Sequence, residues 1–123
     1  NLSKPFKKTG EYVKNYTEND VFNTQGASNG NPWEKLSPEY AIAKSKKYSG
    51  KGILEASGRM RNSFYYDSGR DYVIIGNKTD YFKYHQSNKA RKILPRRVML
   101  KLTQTLRENI VRIFNTYIKE ILK

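Results

Sequence analysis

Ser63-Phe64-Tyr65-Tyr66-Asp67-Ser68-Gly69-Arg70-Asp71-Tyr72-Val73-Ile74-Ile75-Gly76 is the stretch that decides how this chain folds. Residues 63–66 and 72–76 are rich in aromatic and β-branched side chains, which suit a pleated, half-buried surface. Between them Asp67-Ser68-Gly69-Arg70 is a turn-forming tetrad, so the stretch reads as an antiparallel hairpin over about 63–76. Two strands alone are marginal in water and need a cover. Downstream, Arg91 to Leu94 is a candidate third strand, because the residue before Pro95 prefers extended geometry.

The cover is expected from the C-terminal segment. Leu102, Leu106, Ile110, Ile113, Tyr117 and Ile121 recur at steps of 4, 4, 3, 4 and 4, and Leu100, Phe114, Ile118 and Leu122 widen the stripe. This periodicity predicts an amphipathic helix over about 103–122. Thr103 and Thr105 are equally good caps, the second with Glu108 at capping-box spacing. The stripe reads as the core helix, since without it the hairpin would lie bare.

Upstream the signals are weaker. Residues 4–22 carry Phe6, Tyr12, Val13 and Tyr16 at helical spacing, interrupted by Gly10. Residues 23–38 concentrate Asn, Ser, Gly and Pro yet contain Trp33, and so predict a structured loop anchored by an aromatic. Ser37-Pro38 opens a short helix over Glu39 to Lys47, and Ile53, Leu54 and Met60 mark a second short helical piece. Tyr81 to Gln86 is read as one helical turn. The order of helices, antiparallel sheet and long helix is α+β, in a single domain over residues 1–123. Of 22 Leu, Ile and Val residues, 17 fall after Gly52, which places most of the core in the C-terminal part.

The 123 residues suit one domain and one core. The absence of cysteine removes disulfides, thiolate metal sites and thiol nucleophiles together, and fits a reducing cytoplasm. Apolar runs such as Val73-Ile74-Ile75 are far shorter than the roughly 20 residues of a membrane span, so no membrane partner is expected. There is one histidine, His85, and no companion nucleophile or base beside it, so its expected role is hydrogen bonding in a local turn. Asp67 and Asp71 face each other across a turn without further ligands. Gly50-Lys51-Gly52 lacks the remainder of a phosphate loop. No enzyme activity, cofactor or metal is expected.

The charge is informative. Against 24 Lys and Arg stand 11 Asp and Glu, a net +13. Between Tyr81 and Arg107 lie Lys83, Lys89, Arg91, Lys92, Arg96, Arg97 and Lys101 with no Asp or Glu. Tyr81 and Tyr84 interleave aromatics with this charge, as in single-strand binders. On charge alone, contact with DNA or RNA, contact with an acidic protein, and a solvated surface weigh equally; a free basic nucleic-acid-binding protein is one reading that satisfies it.

Five pieces in order break the tie: Phe22-x-x-x-Gly26; Asn31-Pro32-Trp33-x-x-Leu36-Ser37-x-x-Tyr40-x-x-x-Lys44; Ile53-Leu54-x-x-x-Gly58-x-Met60; Tyr81-x-x-x-His85-Gln86; and Leu94-Pro95-Arg96-Arg97-Val98-Met99-Leu100. Together they resemble the phage virion morphogenesis family, the tail-completion proteins of Mu-like and P2-like tailed phages. The resemblance implies a structural virion protein without enzymatic activity, assembled in the host cytoplasm and acting in tail completion or head-tail joining at the neck. It further implies a homo-oligomeric ring around the DNA channel, sixfold by the symmetry of phage tails, in contact with other neck or tail proteins and nonspecifically with DNA. The family motif maps onto Trp33, Leu36, His85, Gln86, Pro95, Arg97 and Leu100. Ser87-Asn88 stands where the family pattern has an aromatic and a glycine. In a ring, residues 23–51 would be partly ordered by neighbouring subunits.

Overall fold

The computed structural model describes residues 1–30, 32–33, 59–79, 82–86 and 97–122. Its elements are helix α1 (Ser3–Tyr16), strands β1 (Phe64–Ser68) and β2 (Val73–Asn77), the short helix α2 (Phe82–Gln86) and helix α3 (Gln104–Ile121). A π turn at Thr17–Val21 and 3-10 turns at Ala27–Asn29 and Arg61–Ser63 connect them. The fold is α+β, as expected. The candidate third strand at 91–94 and the helix at 39–47 lie outside the described residues, as does most of the helical piece around 53–61.

β1 and β2 pair antiparallel, with Phe64 opposite Asn77, Tyr66 opposite Ile75 and Ser68 opposite Val73. The loop is therefore Gly69 to Tyr72, closed by the Gly69 amide donating to the Tyr72 carbonyl at 3.0 Å. This is two residues later than the tetrad suggests. Asp67 and Ser68 are turn formers by propensity, but pairing with Ile74 and Val73 keeps them in the ladder. Cross-strand register outweighs local preference there.

The hairpin's cover is α1 rather than the C-terminal helix. α1 packs on both strands and on α3, and it crosses β1 at Gly10, where a Cβ would meet the Tyr66 ring. The glycine that weakens the helix signal is the crossing point. Past Tyr16 the helix runs on into the π turn. There Thr17 Oγ1 donates to the Val13 carbonyl at 2.9 Å and Asn19 Nδ2 to Asn15 O at 3.0 Å. Val21 and Phe22, which follow, are both buried. Gln25 and Gly26 then take positive φ, 50° and 87°, and reverse the chain toward Trp33.

The core is a cluster of Val21, Phe22, Trp33, Met60, Phe64 and Met99, with Phe82 and Leu100 against it. Phe22 meets Trp33 at 5.1 Å and Phe64 at 6.0 Å, and Phe64 meets Phe82 at 5.6 Å, all edge to face. Such pairs add about 0.5–1.5 kcal/mol each beyond their buried area. Among the described residues, half of the cluster comes from the first 33 positions, so the N-terminal part contributes to the core beside the C-terminal one. A few aromatics there bury the area that a count of aliphatics overlooks.

α3 begins where Thr103 Oγ1 accepts from the Leu106 amide at 3.2 Å, which selects Thr103 over Thr105 as the cap. It docks on α1 through Phe6 and Phe114, 5.0 Å apart, and through Asn109 Nδ2 donating to the Tyr12 hydroxyl at 2.8 Å. Of its long apolar stripe only Leu106 is buried; Leu122 is 77% exposed and Ile121 60%. The stripe is thus a lateral buttress with an open apolar margin, not the core. The reason is that α1 already occupies the face of the hairpin that α3 would have covered.

Candidate functional site

The motif residues converge on one stretch of backbone, Arg97 to Leu100. The Arg97 amide donates to the His85 carbonyl at 2.9 Å. Trp33 Nε1 donates to Val98 O at 2.8 Å, and Asn29 Nδ2 to Met99 O at 3.1 Å. Gln86 completes the set: its Oε1 accepts from the Met99 amide at 2.9 Å and the Leu100 amide at 3.2 Å, while its Nε2 donates to Leu100 O. A side-chain amide carries both donor and acceptor, so Gln86 acts toward Met99 and Leu100 as one residue of a neighbouring strand would.

The clamp explains the residue types. Met99 is fully buried and Val98 nearly so, and buried backbone groups must find partners. With no strand drawn against them among the described residues, Asn29, Trp33 and Gln86 supply those partners from two sides. Trp33 is held in turn by its own amide, donating to Gln25 O at 2.7 Å. Asn29 and Trp33 are thus held by contacts within the chain, while residues 31 and 34–51 lie outside the described residues. Asn29 was not visible as a site residue in the sequence. Its one signal is its place in an Asn-rich loop, and what it bonds lies 70 positions away.

His85 is buried and its backbone carbonyl accepts from the Arg97 amide. Among the described residues no group of three His, Asp or Glu side chains is placed to hold a metal ion, and no helix is long and apolar enough to cross a membrane.

The clamp also sets the end of the basic segment. Arg97 is only 6% exposed, drawn inward with its clamped backbone, whereas Lys101 stands exposed immediately beyond Leu100. Lys89, Arg91, Lys92 and Arg96, the side chain of Lys83, and the motif residues Leu36 and Pro95 lie outside the described residues. Past the clamp, Lys101 and Leu102 form one wall of an open apolar groove of about 350 Å³. Its other walls are Val13 of α1, Val73 and Ile75 of β2, and Leu106 and Ile110 of α3.

The model of the phage virion morphogenesis family matches residues 1–119 of the 123. The chain belongs to that family. No curated protein and no solved structure matches it. Membership in the phage virion morphogenesis family makes this a structural protein of phage virion morphogenesis, associated with the virion. Within this chain Trp33, His85 and Gln86, which carried the resemblance, bond the backbone of residues 97–100, Leu100 among them.

Proposed function

We propose that the protein acts in tail completion or head-tail joining at the neck of a tailed phage, as a ring of copies around the DNA channel. The observation that carries this reading is the family match over nearly the whole chain, residues 1–119. A sixfold ring follows from the symmetry of tails, and assembly takes place in the host cytoplasm before the part enters the virion. The segment from Lys83 to Lys101 is the contact surface, facing channel DNA or an acidic neighbour. Six positive charges besides the buried Arg97, in a stretch of sequence with no Asp or Glu, give it the sign that either counterpart needs. The clamp supports this role by anchoring the segment's C-terminal end to the core.

The test is charge reversal at Lys89, Lys92 and Lys101 in the phage, with Arg97 left intact because it is buried. Heads that fail to join tails, or that leak DNA, are the expected outcome. Normal joining with DNA retained would overturn the contact assignment. Electron microscopy of the purified protein should show rings; a monomer that instead binds naked DNA below micromolar concentration at physiological salt would favour a free nucleic-acid-binding protein.

A further inference from the structure

Asn29-Gly30 is the one Asn-Gly pair in the sequence, and its asparagine is a member of the clamp. Such a pair is chemically reactive. The backbone nitrogen that follows an asparagine can attack the side-chain Cγ, and a glycine there places no side chain in the way and bends freely into the required geometry. Ammonia leaves and a succinimide ring remains. Water then opens the ring to aspartate or to isoaspartate.

The fold holds Asn29 out of that reaction in three ways. The Gly30 amide, which would be the nucleophile, donates to the Ala27 carbonyl at 2.9 Å and so closes the 3-10 turn Ala27–Asn29. The leaving nitrogen, Asn29 Nδ2, donates to Met99 O at 3.1 Å. Asn29 is only 3% exposed, and its buried Oδ1 has no hydrogen-bond partner among the described residues, so an oxyanion forming there would find neither a donor nor bulk water. Gly30 itself, at φ 78° with nothing within 4 Å of where a Cβ would stand, adds no steric shield. The protection therefore lies in the hydrogen bonds and the burial, and both are lost when the clamp opens.

We propose that Asn29 is a deamidation site gated by the clamp. In the open chain the Gly30 nitrogen gives its proton to a solvent base and bonds to Cγ, the Cγ–Nδ2 bond breaks, and Nδ2 leaves with a proton as ammonia. Hydrolysis adds one water, and no electrons are exchanged. The product presents a carboxylate, an acceptor only, where Asn29 had a donor for Met99 O. That bond cannot be remade, and burying an unpaired carboxylate is costly. Copies that have opened and aged reclose poorly, so the change runs one way.

The experiment incubates the full chain in mildly alkaline buffer, folded and in guanidinium chloride, and follows Asn29 by peptide mass and by enzymatic methylation of isoaspartate. In the unfolded chain Asn29 should convert ahead of the other asparagines. In the folded chain it should convert at least about 10-fold more slowly, the factor for an opening that costs about 1.4 kcal/mol. Gly30→Ala should slow the unfolded rate, a comparison that does not depend on folding. Trp33→Phe, which removes the neighbouring bond to Val98 O, should speed conversion in the folded state. Asn29→Asp, the product made by substitution, should lower the denaturation midpoint. Equal rates in the folded and unfolded chains would overturn the gating, and an unfolded chain that keeps Asn29 while other asparagines convert would overturn the site. A Trp33→Phe protein no faster than the wild type, or an Asn29→Asp protein as stable as the wild type, would overturn the part given to the clamp.

Discussion

A Cβ on Gly10 would lie 2.5 Å from Cδ2 of Tyr66 and 3.1 Å from its Cβ, so α1 crosses β1 with its backbone resting directly on the tyrosine. Two opposing effects follow for Gly10→Ala. Alanine in a helix interior gains about 0.5–1 kcal/mol over glycine, while overpacking a filled contact costs about 1–3 kcal/mol. Because the tyrosine's own Cβ lies within the clash, ring rotation alone does not relieve it. Urea denaturation should show net destabilisation by Gly10→Ala. In a Tyr66→Ala background the same change should become neutral or stabilising, and additive costs in the double variant would contradict the crossing.

Gln86 makes three hydrogen bonds to buried or half-buried backbone. Gln86→Leu leaves those groups without partners, at about 1–3 kcal/mol for each one unsatisfied. The variant should lose at least about 2 kcal/mol and show faster amide exchange at Met99 and Leu100. Gln86→Glu keeps the acceptor and loses only the donor to Leu100 O, and should fall in between.

Trp33 is the only tryptophan, so its fluorescence reports one site. Its emission should be blue-shifted in the folded protein and move to the red on unfolding. Trp33→Phe retains a ring against Phe22 but leaves Val98 O without its 2.8 Å donor. A loss of about 1–3 kcal/mol is expected from the orphaned carbonyl and the smaller ring. Unchanged thermal stability would show that the Trp33 to Val98 bond contributes little.

The two candidate caps of α3 separate cleanly. Thr103→Ala removes the acceptor for the Leu106 amide and should cost about 1 kcal/mol, within the usual span for a lost N-cap. Thr105→Ala, at an exposed position inside the first turn, should be neutral or slightly stabilising. Equal effects would mean that the helix start is frayed across both residues.

Tyr66 carries a pH signature. Partial shielding by the covering helix, then the Glu11 carboxylate that accepts its hydroxyl, raise its pKa above the ordinary tyrosine value, with Lys14 opposing. A folded pKa above the unfolded one means that the fold favours the protonated phenol. The contribution is present in full below about pH 10, the unfolded value, and is lost as pH rises through the folded value. Difference titration of phenolate absorbance between the wild type and Tyr66→Phe should reveal a late-titrating tyrosine, and Glu11→Gln should move it down.

Much of this fold was legible before any coordinates. The alternation around 63–76 carried the hairpin, the 4, 4, 3, 4, 4 spacing carried α3, and a tryptophan inside a polar loop carried the anchor at residue 33. These are local signals, readable because hydrophobic period and turn chemistry act within a few residues. What was misjudged was non-local: the loop at 69–72, set by pairing across the strands, and the cover of the hairpin, taken by α1 through Gly10.

By itself the sequence determined the element types, the net charge of +13, the acid-free basic run and the ordered motif that places the chain in its family. Only the tertiary structure decided what those motif residues do. Trp33 and Gln86 meet residues 97–100 across separations of 65 and 13 positions, and they meet there because a buried backbone that no strand among the described residues pairs with must be satisfied by side chains. The tertiary structure also sorted the charges. Arg97 follows its clamped backbone inward while Lys101, four residues on, stands at the mouth of an apolar groove, a division that charge counting along a chain has no means of making.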